Sequence, residues 1–356
     1  MTPKFHSLVI KDVREETEDC VSIAFEVPAE LREAYQYVSG QYLTLRTDID
    51  GEDIRRSYSL CSAPHEDEWR VAVKQVEGGK FSTFANASLK AGDRLDVMTP
   101  MGNFNFEPAA SKKRSIVLFA AGSGVTPILS IAKTALTHGP KSDVTIFYGN
   151  KTIASIIFRE EVEGLKNEYM DRLRLVHILS RENLGTPLFK GRIDLEKTNK
   201  LFKVYLESDT PDEVYICGPE QMILDVKESL IANGIDPKTV HFELFTTADS
   251  IEHKPIEKYE GPHIESNVSV ILDGDRFDLH LESDGESLLD AATKAGADLP
   301  FACKGGVCCT CKAKIIEGKA RMDVNYSLEP DEVAAGYILT CQAHPMSDKL
   351  VVSFDD

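Results

Sequence analysis

Over residues 4–108 the apolar positions come in short alternating or continuous runs between turn residues: FHSLVIKDV, CVSIAFEVP, QYLTLRT, RRSYSL, WRVAVKQVE and RLDVMTP. A period of two turns one face of each run inward, which is the pattern of strands. These six runs, with one helical stretch at KFSTFANASL, predict a small antiparallel barrel. From residue 112 the period changes. SIVLFAAG reads as a buried strand and TPILSIAKTAL as a helix with Pro127 near its first turn. DVTIFYGN, RLRLVHILS, EVYICGP and VHFELF are further strands, and EQMILDVKESLIANG is an amphipathic helix ending at Gly234. Strands alternating with helices predict a doubly wound parallel sheet of the α/β class.

Residues 246–267 carry charges, Pro255 and Pro262 and no sustained period, so they read as a linker of roughly 25 Å if coiled. A hairpin (VSVILDG, DRFDLHLE), a helix (SLLDAATKAG) and a closing strand (KLVVSF) follow. The expected organisation is 1–109 barrel, 110–245 α/β domain, 246–267 linker and 268–356 a small α+β domain. A chain of 356 residues is long enough for several cores.

Charge narrows the partners. The net charge of −18 argues against nucleic acid and anionic membrane surfaces. From Glu265 onward 17 acidic residues face 8 basic ones, either a well-solvated surface or an acidic docking face. MTPKFHSLVIKDV holds no apolar core of signal-peptide length and no apolar run reaches membrane-spanning length, so a cytoplasmic location is expected.

Four of the eight cysteines change the picture. Cys303, Cys308, Cys311 and Cys341 read C-x4-C-x2-C-x29-C, the plant-type [2Fe–2S] spacing. Three thiolates on one short loop can wrap one side of a cluster. Gly305 and Gly306 let backbone N–H groups approach the sulfurs. A zinc site would pair C-x2-C with a second such pair or with H-x3-H, and neither is present. Cys20, Cys61, Cys217 and Cys309 remain, with no spacing that indicates a disulfide framework. Cys309 reads as a bystander beside the ligands.

The upstream motifs are individually modest. In RRSYSL, Arg56 and Tyr58 share one strand face, and Arg55, Ser57 and Ser59 the other. An Arg can clamp a diphosphate and a Tyr can stack on a flat ring, or the segment is an ordinary strand. EGGKFSTF places Gly78 and Gly79 before a helix whose first N–H groups, with Ser82, suit a phosphate; a plain turn is the alternative. AAGSGVTP follows a buried strand and opens a helix, with Gly122 and Gly124 positioned for a diphosphate. Cys217 in ICGP ends a parallel strand, where ligands bind, or is a buried structural thiol. Glu243 and Phe245 in ELF are a polar group and an aromatic lid, or bland strand residues. Ser180 and Arg181 in HILSRE bind the 2′-phosphate of NADP or cap the strand end.

Together these motifs resemble the ferredoxin–NADP reductase superfamily with a C-terminal plant-type ferredoxin domain. Within it, FHSL, YGN, KGRID, FACKGGVCCTCK and NYSLEPDEVAAGYILTCQA are similar to the reductase components of phenylacetyl-CoA epoxidase complexes. The resemblance implies an FAD-binding barrel, an NAD(P)-binding domain and a β-grasp [2Fe–2S] domain. It implies that Arg56 holds the FAD diphosphate, Tyr58 stacks on the isoalloxazine, Ser59 reaches N5, and Gly79, Lys80, Phe81 and Ser82 form the phosphate segment. Gly122, Gly124, Thr126 and Pro127 form the nicotinamide-nucleotide turn. Cys217 and Glu243 flank hydride transfer, and Phe245 is the terminal aromatic. Cys309 departs from the family, where a small residue without a thiol is usual. The activity implied is an oxidoreductase relay from NADPH, or NADH, through FAD and the cluster to a di-iron oxygenase in phenylacetate catabolism. The rivals are a reductase of another oxygenase, such as a Rieske-type hydroxylase or demethylase, and a non-enzymatic redox sensor or carrier.

Overall fold

The computed structural model describes residues 3–245 and 261–355. The N-terminal strands are β1 (Phe5–Thr17), β2 (Cys20–Glu26), β3 (Tyr42–Ile49), β4 (Glu52–Ser59), β5 (Trp69–Lys74) and β6 (Arg94–Met98), with helix α1 (Lys80–Ser88) between the last two. They form an antiparallel sheet in the order β4-β3-β6-β1-β2-β5. A bridge between Leu60 and Val71 draws its two edges together into a barrel. Alternation drives the closure. Leu8, Ile10, Ile23, Leu43, Leu45, Val71 and Val97 all point to one core, which α1 covers with Phe81 and Ala85.

The second unit is an all-parallel sheet of β7 (Ser115–Ala121), β8 (Asp143–Asn150), β9 (Leu173–Leu179), β10 (Glu213–Gly218) and β11 (Val240–Leu244), in the order β11-β10-β7-β8-β9. Helices α2 (Val125–His138), α3 (Arg159–Glu168), α4 (Leu195–Tyr205) and α5 (Glu220–Ala232) cover it. Its core divides in two, one on each side of the sheet, as the near-continuous apolar strands require. The order reverses between β10, β7 and β8, so the carboxyl ends of β7 and β10 meet at a crevice. His241 is a packed residue, stacked on Tyr215 at 4.7 Å.

The third unit begins with β12 (Glu265–Leu272), three residues inside the segment read as linker; residues 246–260 of that segment lie outside the described part. β13 (Asp275–Glu282), α6 (Leu288–Lys294), β14 (Lys312–Glu317), β15 (Ala320–Met322), α7 (Pro330–Ala334), β16 (Tyr337–Leu339), β17 (Ala343–Pro345) and β18 (Lys349–Ser353) follow. The mixed sheet runs β13-β12-β18-β14-β16, with β12 and β18 parallel, and clasps α6. Among the described residues no helix is long and apolar enough to cross a membrane.

Candidate functional site

The barrel and the parallel sheet meet at the end of β4. Ser59 closes that strand, buried, and its Oγ donates to Glu243 Oε2 on β11 at 2.9 Å. Glu243 lies opposite Cys217 in the β10–β11 register. The three residues named for hydride chemistry are therefore brought together from three strands. Burial pushes the Glu243 carboxyl up to about 7, against the opposing hydrogen bond from Ser59. Burial, and then the Glu243 charge, hold the Cys217 thiol well above its ordinary value. Phe245 follows β11, with its N–H on the Gly218 carbonyl, and packs at the same end of the sheet.

The glycine turn after β7 fits a close ligand. A Cβ on Gly124 would lie 2.2 Å from the Cys217 carbonyl oxygen, so the turn packs directly on the β10 terminus. Gly122 has φ +54°, and a Cβ there would meet nothing within 4 Å; above it is open space. The Tyr148 hydroxyl donates toward the Gly122 carbonyl (3.2 Å) and fixes the turn. Thr126 is buried, its hydroxyl donating to the Ser123 carbonyl, and Pro127 lies in the first turn of α2.

On the other face of β4, Arg56 is exposed, pairs with no carboxylate among the described residues, and donates only to the Arg55 carbonyl. Tyr58 leans on Phe81 of α1, centroids 5.5 Å apart. The N–H groups of Lys80, Phe81 and Ser82 open α1, where no intrahelical acceptor exists. The Ser82 hydroxyl serves the turn itself, accepting from Val76 N and donating to the Gly79 carbonyl, and Lys80 pairs with Glu52. An unpaired guanidinium, an aromatic face and free helix N–H groups suit an aromatic nucleotide with a diphosphate. Past β9, Ser180 and Arg181 are tied by their backbone N–H groups to Asn150 and Lys151 carbonyls, leaving the exposed Arg181 side chain without a carboxylate partner among the described residues. That also fits an added phosphate.

The four cluster cysteines converge. Cys308 Sγ lies 3.1 Å from Cys303 Sγ, and Thr340, next to Cys341, donates its N–H and hydroxyl to the Cys311 carbonyl. Hydrogen bonds from Cys308, Cys341 and the Gly305 N–H lower the Cys303 thiol, while contact with Cys303 and burial raise Cys308. Gly305 N–H points at Cys303 Sγ (3.3 Å), and Gln342 Nε2 lies 3.8 Å from Cys341 Sγ. Gly306 needs φ +72°, with Val324 against the place of a Cβ. All eight cysteines are free of disulfides. Four half-buried or buried thiols pressed together with N–H groups aimed at them suit an iron–sulfur cluster, whose positive irons balance thiolate charge.

Comparison with known proteins matches three successive segments of the chain. Sequence profiles match residues 7–106 to the oxidoreductase FAD-binding domain, 118–228 to the oxidoreductase NAD-binding domain, and 270–346 to the 2Fe-2S iron–sulfur cluster binding domain. The chain is 45% identical over 351 residues to the E subunit of 1,2-phenylacetyl-CoA epoxidase from Escherichia coli K12, covering 99% of this chain and 98% of that protein. It belongs to the ferredoxin reductase family of flavin and iron–sulfur oxidoreductases. Within that family it is 34% identical to the ferredoxin reductase component of 3-ketosteroid-9-alpha-monooxygenase from Rhodococcus rhodochrous, covering 98% and 96% of the two chains. Phthalate dioxygenase reductase shares the fold at 22% identity and TM-score 0.60, with 98% of each chain covered. An intact type IV self-sufficient cytochrome P450 monooxygenase does so at TM-score 0.70 and 22% identity, 98% of this chain lying on 41% of that one. The reductase thus binds FAD, a nicotinamide nucleotide and a [2Fe–2S] cluster in three successive domains.

Two residues escaped the sequence reading. Arg55 is 5% exposed; it pairs with Asp53 and Asp298, donates to the Leu299 carbonyl and covers the Phe301 ring at 4.2 Å. Only its place on the face opposite Arg56 hinted at a separate task. Tyr42 of β3 sits in the core of the cluster domain, its hydroxyl 3.0 Å from Thr310 Oγ1 and 3.3 Å from Cys309 Sγ. Cys309 is therefore a contact residue rather than a bystander. Burial lifts its thiol to about 11. Nothing in the sequence around Tyr42 signalled this.

Proposed function

We propose that this reductase carries electrons from NADPH to the di-iron oxygenase of a phenylacetyl-CoA epoxidase complex in the cytoplasm. The observation that carries the reading is 45% identity along 99% of the chain to the E subunit of 1,2-phenylacetyl-CoA epoxidase. When bound, FAD and the cluster supply the conversion of a two-electron hydride into single electrons. The chain supplies the setting. Arg56 offers a cation to the FAD diphosphate, and Tyr58, backed by Phe81, offers a ring to the flavin. Gly79, Lys80, Phe81 and Ser82 would hold phosphate through helix N–H groups, and Gly122, Gly124, Thr126 and Pro127 would receive the nicotinamide nucleotide.

Glu243 exchanges its proton near neutral pH, and Ser59 Oγ is its donor, so this pair can hold or release one proton at the crevice. Cys217 stays a neutral thiol and presents no charge to an arriving hydride. Phe245 covers that end of the sheet. Arg181, with Ser180, would favour the 2′-phosphate of NADPH. Cys303, Cys308, Cys311 and Cys341 would bind the two irons.

Purified holoprotein should reduce cytochrome c faster with NADPH than with NADH, and Arg181→Ala should cut that preference by about ten-fold. An unchanged preference would remove the role given to Arg181. Electron delivery should be compared between the oxygenase component of phenylacetyl-CoA epoxidase and a Rieske-type oxygenase. The second reading, a reductase of another oxygenase, is supported by the 34% identity to the 3-ketosteroid-9-alpha-monooxygenase component; preferential turnover of the Rieske partner would establish it.

A further inference from the structure

We infer that Tyr42 is a positioning residue that bolts the cluster loop to the flavin barrel, with Cys309 and Thr310 as its socket. The inference rests on the reading that electrons pass from FAD to the cluster. Tyr42 belongs to the barrel by its backbone: it pairs with Ser59 across β3–β4 and exchanges two main-chain hydrogen bonds with Met101. Its side chain belongs to the other domain, 4% exposed among the residues that surround the cluster. The hydroxyl meets Cys309 Sγ at 3.3 Å and Thr310 Oγ1 at 3.0 Å. Thr310 is 1% exposed and stands in the cluster loop between Cys309 and the ligand Cys311.

The tyrosine hydroxyl has one hydrogen to give and lone pairs to accept, so it can donate to one of Thr310 and Cys309 and accept from the other. Opposed residues of an antiparallel pair share a face, so Tyr42 and Ser59 project the same way from the barrel. One therefore reaches the cluster loop and the other Glu243. Tyr42 thus ties the spacing of the two centres to a single strand pair. The transfer it serves moves one electron from reduced flavin, which is oxidised, to oxidised cluster, which is reduced; no bond between heavy atoms forms or breaks. The Cys309 thiol, next to the ligand Cys308, is the second group held against the tyrosine hydroxyl.

Tyr42→Phe, which removes one oxygen and keeps the ring, tests this on the full-length holoprotein. Expected are wild-type iron content, a wild-type rate of flavin bleaching by NADPH, a cluster-reduction rate lower by about three- to ten-fold, and a cluster midpoint potential moved downward in a dithionite titration followed by EPR. Thr310→Ala should move the potential the same way and Thr310→Ser should restore it, readouts that altered folding alone would not reproduce. A Tyr42→Phe protein with both the cluster-reduction rate and the potential of wild type overturns the inference. Should Tyr42→Phe fail to load iron, Cys309→Ala and the Thr310 pair decide by the same two measurements. A wild-type cluster that NADPH never reduces would instead sink the underlying relay, while the dithionite titration would still judge the contact.

Discussion

The two faces of strand β4 have opposite fates. Arg55, Ser57 and Ser59 point out of the barrel and are all partnered by protein: Arg55 by Asp53, Asp298 and Leu299, Ser57 by Thr44, Ser59 by Glu243. Arg56 on the other face has no carboxylate among the described residues, and Tyr58 offers one side of a ring to Phe81. A buried cation without a partner is costly, so Arg55 had to be enclosed by acceptors. A ligand site is the reverse: its charge stays unanswered until something binds. Adjacent arginines of identical chemistry thus have different tasks, one joining domains and one available to an anion.

The largest expected effect tests the end point of the closed face. Cys341→Ser should lower cytochrome c reduction by at least about 100-fold while NADPH-driven ferricyanide reduction by the flavin persists. Survival of both activities would show that the cluster does not drain the flavin. Next comes the open face: Arg56→Ala should weaken FAD retention by about 10- to 100-fold, read by fluorescence of released flavin on dilution. Loss of thermal stability without flavin loss would place Arg56 with Arg55 as a structural residue. Arg55→Ala should cost about 1–3 kcal/mol of stability, less than a fully buried pair because Asp298 is largely exposed, and should separate the melting of the cluster domain from that of the barrel. A single unchanged transition would deny the clamp.

The smallest effect is a pH dependence. Glu243 titrates near 7 in the folded chain and near 4.5 otherwise, so the folded state holds more protons between these values. Stability from this group is present below about 4.5 and is lost as pH rises through about 7. Glu243→Gln should therefore gain in melting temperature over wild type from pH 5 to pH 8, and the pH step near 7 in flavin reduction should flatten. Parallel melting curves for the two proteins across that range would mean that Glu243 is not held as the structure implies.

The cluster spacing was legible because three ligands lie within nine residues, where chain geometry alone fixes their reach. The barrel and the parallel sheet were legible because a strand's period of two and a helix's period of 3.6 are written locally. The Ser82 hydroxyl was legible only as a candidate, and the fold assigns it to the turn. Arg55 and Tyr42 were not legible at all in their actual roles. Their partners in the third unit, Asp298, Thr310 and Cys309, stand more than 240 residues away, and no local period encodes such a distance.

What the sequence determined by itself is the list of parts: three domains in order, four thiolates at iron–sulfur spacing, and the strand face on which each β4 side chain lies. Those follow from backbone periodicity and short-range reach. Only the tertiary structure decided which face is answered by protein and which is left open, and that a barrel tyrosine lies within the cluster domain. Burial and partner distance depend on how whole domains pack, and packing between distant segments is a property of the folded chain.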